Sequence, residues 1–135
     1  MRYLLDTTAL LAHYQAAPEA ERLLELFDHG GHEFFLSVLS VVEFGRKLKE
    51  LGVPPAQTRQ TLASYTLLFN KVLPVDEEVA RRALHLAFTV RPRLPTVDSL
   101  IAATAQHAET CLVHLDKHFA AIPNDALSQV RLSGA

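Results

Sequence analysis

The chain has little of several things that often announce a function. Its one cysteine, Cys111, excludes an internal disulfide and points to a reducing compartment, the cytoplasm. Acidic and basic residues nearly balance, 15 against 13, so no excess charge marks a nucleic-acid binder, though a local basic patch stays open. No apolar run approaches the roughly 18 residues of a membrane span. Asp6 interrupts the amino terminus too early for a signal peptide. Neither common glycine-rich phosphate loop is present, which argues against nucleotide-driven chemistry. There is no HExxH motif and Cys111 has no cysteine partner, so the spacing of His114 and His118 is a poor zinc signal. Cys111, with no matched base, reads as core.

What is there suffices for one domain. Of the 135 residues, 49% are apolar, enough to bury a full core over residues 1–132, with residues 133–135 expected to fray. Strands are expected near residues 2–5, 34–37, 110–113 and 130–132, with a strand or extended link at 72–75. Helices are expected after Thr7, over 19–27, from Ser40 as cap to Leu51, over 55–69 and 77–88, and from Pro95 onward, with Leu94 or Thr96 as cap. Phe119 and Ile122 are expected to pack a further short helix. Strands alternating with helices argue for an α/β fold whose parallel sheet, of four to five short strands, is covered on both faces.

In such sheets ligands bind outside the carboxyl ends of strands. Asp6 and Asp116 follow strands directly, Glu43 lies one turn into the helix after the second strand, and Asp98 falls in the first turn of an alanine-rich helix. Each has an ordinary explanation. Asp6 can be a helix cap, Glu43 a surface partner of Lys47, and Asp98 an acid stabilised by the helix dipole. Together they can reach one edge of the sheet. Convergence to about 5 Å would cost ~3 kcal/mol per ionised pair at an effective dielectric near 20. Six pairs approach 20 kcal/mol, more than the ~5–15 kcal/mol stability of a domain. Such a cluster must take up protons or hold a cation, and oxygen-only ligands suit Mg²⁺ or Mn²⁺. The matching chemistry is hydrolysis of phosphodiesters.

Four segments carry a family resemblance: Tyr3-Leu4-Leu5-Asp6-Thr7-Thr8, the run from Leu36 to Gly45 containing Glu43, the run from Leu94 to Ala105 containing Asp98, and the run from Leu112 to Phe119 containing Asp116. In this order and spacing they resemble PIN-domain ribonucleases, most closely the VapC-type toxins of toxin–antitoxin pairs. The resemblance implies a three-layer α/β/α PIN-like fold and a Mg²⁺-dependent endoribonuclease. It implies Asp6 and Asp98 as principal metal ligands, with Glu43 and Asp116 completing the acidic site directly or through water. It further implies an RNA substrate, a cognate antitoxin partner, and a homodimer within a hetero-oligomer. Thr7 or Thr8 stands where the family often has a small hydroxyl or amide residue beside the first acid, and Thr8 is the better candidate for supporting Asp6. His114 departs from the pattern, because relatives often carry Thr or Ser two residues before the fourth acid. It is either a partly buried strand-end histidine or a hydrogen-bonding group of the site.

Arg46, Lys47, Lys49, Arg91, Arg93 and Lys117 flank the acids in sequence and could bind an RNA backbone or merely face solvent. Leu62, Tyr65, Leu68 and Phe69 are candidates for an antitoxin groove, a dimer contact or core. Two alternatives to the toxin reading stand: a PIN-like module that binds RNA or protein without cutting, and a housekeeping RNA-processing nuclease.

Overall fold

The computed structural model describes residues 1–132, so the expected fraying of residues 133–135 lies outside the described residues. Five short strands form one sheet: β1 (Arg2–Leu5), β2 (Glu33–Ser37), β3 (Lys71–Leu73), β4 (Cys111–His114) and β5 (Gln129–Arg131). Their order is β3-β2-β1-β4-β5, and every neighbouring pair is parallel. Parallel strands need long crossovers, and helices supply them. These are α1 (Thr7–Tyr14), α2 (Glu21–Asp28), α3 (Val38–Glu50), α4 (Pro55–Leu68), α5 (Glu77–Thr89) and α6 (Thr96–His107). The architecture is a three-layer α/β/α sandwich.

Side-chain alternation along the strands divides the core in two. Leu4, Phe35 and Leu112 pack on one face with Val79 and Leu86 of α5 and Ile101 and Ala102 of α6. Tyr3, Leu5, Phe34, Leu36 and Val113 pack on the other with Leu10, Leu23, Phe44, Leu48 and Tyr65 of α1 to α4. The small side chains of Ala102, Ala103 and Ala105, all buried, let α6 lie close against its neighbours. Among the described residues no helix is long and apolar enough to cross a membrane.

Local chemistry moves several expected boundaries. Ser37, not Ser40, caps α3: its hydroxyl accepts the Leu39 N–H at 3.1 Å. The strand therefore turns into the helix without a linker, and buried Ser40 turns to α1, its hydroxyl 3.1 Å from that of Thr7. Pro95 itself occupies the cap position of α6, with extended backbone (ψ 148°) and no side-chain cap, rather than Leu94 or Thr96. Residues 71–73 are a true strand, paired with β2. Tyr65 and Phe69 are buried and Leu62 packs against the same cluster, so these three serve the core. Leu68, 48% exposed, keeps a free surface.

The interior position of β4 in the sheet and the surface position of the end of α4 predict opposite mutational outcomes. Leu112→Ala, at a fully buried site, should cost ~2–5 kcal/mol in urea unfolding. Leu67→Ala, at a side chain 88% exposed, should stay within ~0.5 kcal/mol of wild type.

Candidate metal centre

From β1 the chain first builds β2 and β3 to one side, then returns to place β4 on the other. The gap between β1 and β4 is thus the switch point at which parallel sheets form their crevices. Asp6 leaves β1 there and Asp116 leaves β4 two residues past its end. Glu43 approaches on α3 and Asp98 on the first turn of α6. All four acids line one cleft of about 280 Å³, together with Thr7, Thr8, Arg46 and Lys47.

The acids are not equally close. Asp98, Asp116 and His118 each offer a donor atom, and the three atoms lie within 4.8 Å of one another. Asp6 and Glu43 line the same cleft outside that tight group. The four-acid ring considered from the sequence is therefore a close pair with two further acids on the surrounding walls. His118 Nδ1 stands 3.1 Å from Asp98 Oδ2 and 3.0 Å from Asp116 Oδ1. Sequence reasoning treated His118 only as a zinc candidate with His114. The signal it overlooked is the cap: Asp116 accepts the His118 N–H at 2.9 Å and opens a 3-10 turn over Lys117–Ala121.

Capping and site geometry coincide at Asp6 as well. Its Oδ1 accepts the Ala9 N–H at 2.9 Å, so it caps α1, and also the Thr8 hydroxyl at 2.7 Å. Thr8 Oγ1 in turn accepts the Leu115 N–H at 2.9 Å, tying the first acid to the segment that carries the fourth. Thr7, the alternative at this place, holds a different acid: its hydroxyl donates to Glu43 Oε1 at 2.6 Å. Lys47 pairs with Glu50 at 3.4 Å rather than with Glu43, which removes the surface-pair account of Glu43. His114 is 1% exposed. Its Nε2 is 2.8 Å from Gln129 Oε1 and its Nδ1 3.2 Å from the Asp116 N–H. Both nitrogens are thus occupied away from His118.

Electrostatics mark two of the acids. Burial pushes the Asp6 carboxyl from 3.8 to about 7, against the opposing bonds from Thr8 and Ala9, with Asp116 and Asp98 adding repulsion. Burial and then Asp116 raise Asp98 to about 6, with His118 opposing. Burial holds His114 below the ordinary histidine value.

The sequence pattern of the PIN domain matches residues 3–125. The chain belongs to the PIN domain family. Its fold is shared with VapBC2 from Rickettsia felis bound to a promoter DNA fragment, at 18% identity and a TM-score of 0.79, covering 98% of this chain and 100% of that one. It is similar to a toxin–antitoxin complex from Klebsiella pneumoniae at 25% identity and a TM-score of 0.73, covering 97% and 98% of the two chains. VapBC-1 from nontypeable Haemophilus influenzae is similar at 21% identity and a TM-score of 0.75, covering 98% of each. No curated protein sequence matches the chain.

The raised carboxyls make this PIN domain's stability depend on pH in a defined direction. Between about 4 and about 7 the folded state keeps a proton on Asp6 that the unfolded chain releases. The stabilisation is therefore present at the low end of that window and lost as pH rises through the folded value. Metal-free wild type should melt lower near pH 8 than near pH 5. Asp6→Asn should flatten that slope, because its amide keeps the cap without the charge. Added Mg²⁺ should raise the melting temperature of wild type more near pH 8 than near pH 5, as read by differential scanning calorimetry. An Asp6→Asn slope equal to that of wild type would show that the burial of Asp6 does not set the trend.

Proposed function

We propose that the chain is a metal-dependent endoribonuclease and the toxin of a type II toxin–antitoxin pair. The observation that carries this reading is the meeting of Asp6, Asp98 and Asp116 in one cleft at the sheet's switch point, in a chain of the PIN domain family. The donor set fits Mg²⁺ or Mn²⁺. Its carboxylate oxygens are hard ligands, and a divalent cation would offset both the burial that chiefly raises Asp6 and Asp98 and the repulsion that Asp116 adds to it. Asp6 and Asp98 would hold the ion, with Asp116 and Glu43 completing the site directly or through water. When bound, such an ion supplies Lewis-acid and water-activating chemistry for phosphodiester hydrolysis.

The chain's own residues do the positioning. Thr8 fixes the Asp6 carboxylate by its 2.7 Å bond, and Thr7 fixes Glu43 by its 2.6 Å bond. Arg46 and Lys47, on the helix that carries Glu43, bring cations to the same wall, where an RNA backbone would otherwise meet only acids. The similarity to toxin–antitoxin complexes supports an antitoxin as protein partner. A homodimer belongs to the same reading.

With Mg²⁺, wild type should cut structured RNAs, and Asp6→Asn and Asp98→Asn should each slow cleavage by roughly 100-fold or more, since metal-held charge stabilisation is worth several kcal/mol. Chelation with EDTA should abolish it. Cleavage that survives both substitutions and EDTA sinks the proposal. RNA binding without turnover in Mg²⁺ or Mn²⁺ would instead favour the binding-module reading. Expression alone should arrest growth, and co-expression of a small neighbouring gene product should relieve it; a nuclease without arrest would be a housekeeping enzyme.

A further inference from the structure

We propose that His114 and Gln129 act together as positioning residues that fix the backbone at Asp116, and with it one wall of the acidic cleft. The inference rests on the metal-site reading of Asp116 given above. Its geometry follows from a chain of matched donors and acceptors. Gln129 Nε2 lies 3.1 Å from the carbonyl oxygens of both Phe119 and Ile122, which can only accept. The amide must therefore point its NH₂ at these carbonyls and its Oε1 at His114. Oε1, an acceptor 2.8 Å from Nε2, requires that His114 carry its proton there. Nδ1 is left bare, and it accepts the Asp116 N–H at 3.2 Å. One neutral tautomer satisfies every bond.

The consequences reach three elements. Gln129 begins the edge strand β5, His114 ends β4, and Phe119 sits in the turn that Asp116 caps. The Leu132 N–H donates to the His114 carbonyl at 2.7 Å, so β5 is clamped to the same residue from the backbone side. The His114 and Phe119 rings lie 4.9 Å apart, which packs the turn against the imidazole. A Thr or Ser hydroxyl at this position has no second nitrogen to tie to Gln129. The imidazole reaches both, making the placement of Asp116 depend on an edge strand remote from the other acids. Polar partners that orient a metal ligand typically alter metal affinity about 10–100-fold when removed.

Two near-isosteric substitutions separate this role from plain packing. His114→Asn keeps an acceptor near the Nδ1 position, whereas His114→Gln keeps only a donor near Nε2. Hydrogen exchange at the Asp116 amide, Mg²⁺ affinity by calorimetry, and melting temperature are measured for both, with RNA cleavage alongside. His114→Asn should keep a protected Asp116 amide and near-wild-type affinity. His114→Gln should exchange faster there and bind Mg²⁺ about 10–100-fold more weakly. Wild-type ¹⁵N imidazole spectra should show the Nε2–H tautomer, and Gln129→Leu should mix the two tautomers. The proposal is overturned if His114→Gln binds Mg²⁺ like wild type, if both variants lose affinity in proportion to melting temperature, or if wild type shows the Nδ1–H tautomer. Wild type that binds Mg²⁺ but cuts no RNA would remove the nuclease reading and leave this test intact. Variants that bind like wild type, beside an active wild type, would remove only the positioning pair.

Discussion

The structure turns on a buried carboxylate. Asp6 is 3% exposed at the end of the central strand, where an unpaired charge would be expensive. Its Oδ1 accepts two hydrogen bonds, from Thr8 and from the first turn of α1, yet burial still outweighs them in raising its pKa. Two more acids close by push in the same direction. The fold keeps Asp98 and Asp116 near enough to Asp6 for their repulsion to add to the cost of its burial. Such strain against the ordinary placement of charge is what functional sites show.

The sheet order makes this crowding possible. Because β1 is central and the chain departs to opposite sides of it, the loops after β1 and β4 diverge around a crevice instead of covering it. Helix capping then supplies precision. Asp6 and Asp116 each cap the helical turn that follows, and the backbone bonds of those caps orient the carboxylates. Capping and site formation had stood as rival accounts of Asp6 in the sequence. In the folded chain they are one arrangement, since the carboxylate that caps α1 also lines the cleft.

Much of this was legible from residue order. Short continuous apolar runs located the central strands, and glycine and proline marked helix ends, because these are local properties of the chain. The four acids stood out because each lay directly after a strand or within the first two turns of a helix. What was not legible came from contacts distant in sequence. Thr7 and Thr8 are adjacent and chemically alike, yet one holds Glu43, 36 residues away, and the other bonds the Leu115 N–H, 107 residues away. Nothing local distinguishes them. Gln129 carried no signal at all, being one polar residue at the start of an edge strand.

The sequence by itself determined the alternation of strands and helices, the parallel sheet and the list of acids, because these depend on periodicity and on residue type. Only the tertiary structure decided how the acids are spaced, that His118 joins Asp98 and Asp116, and which nitrogen of His114 faces which partner. Those outcomes depend on the register of β4 against β1 and β5 and on how α6 and the turn after β4 pack on the sheet. A hydrogen bond discriminates over tenths of an ångström, a precision that no pattern of residue types encodes and that packing of the whole sheet imposes.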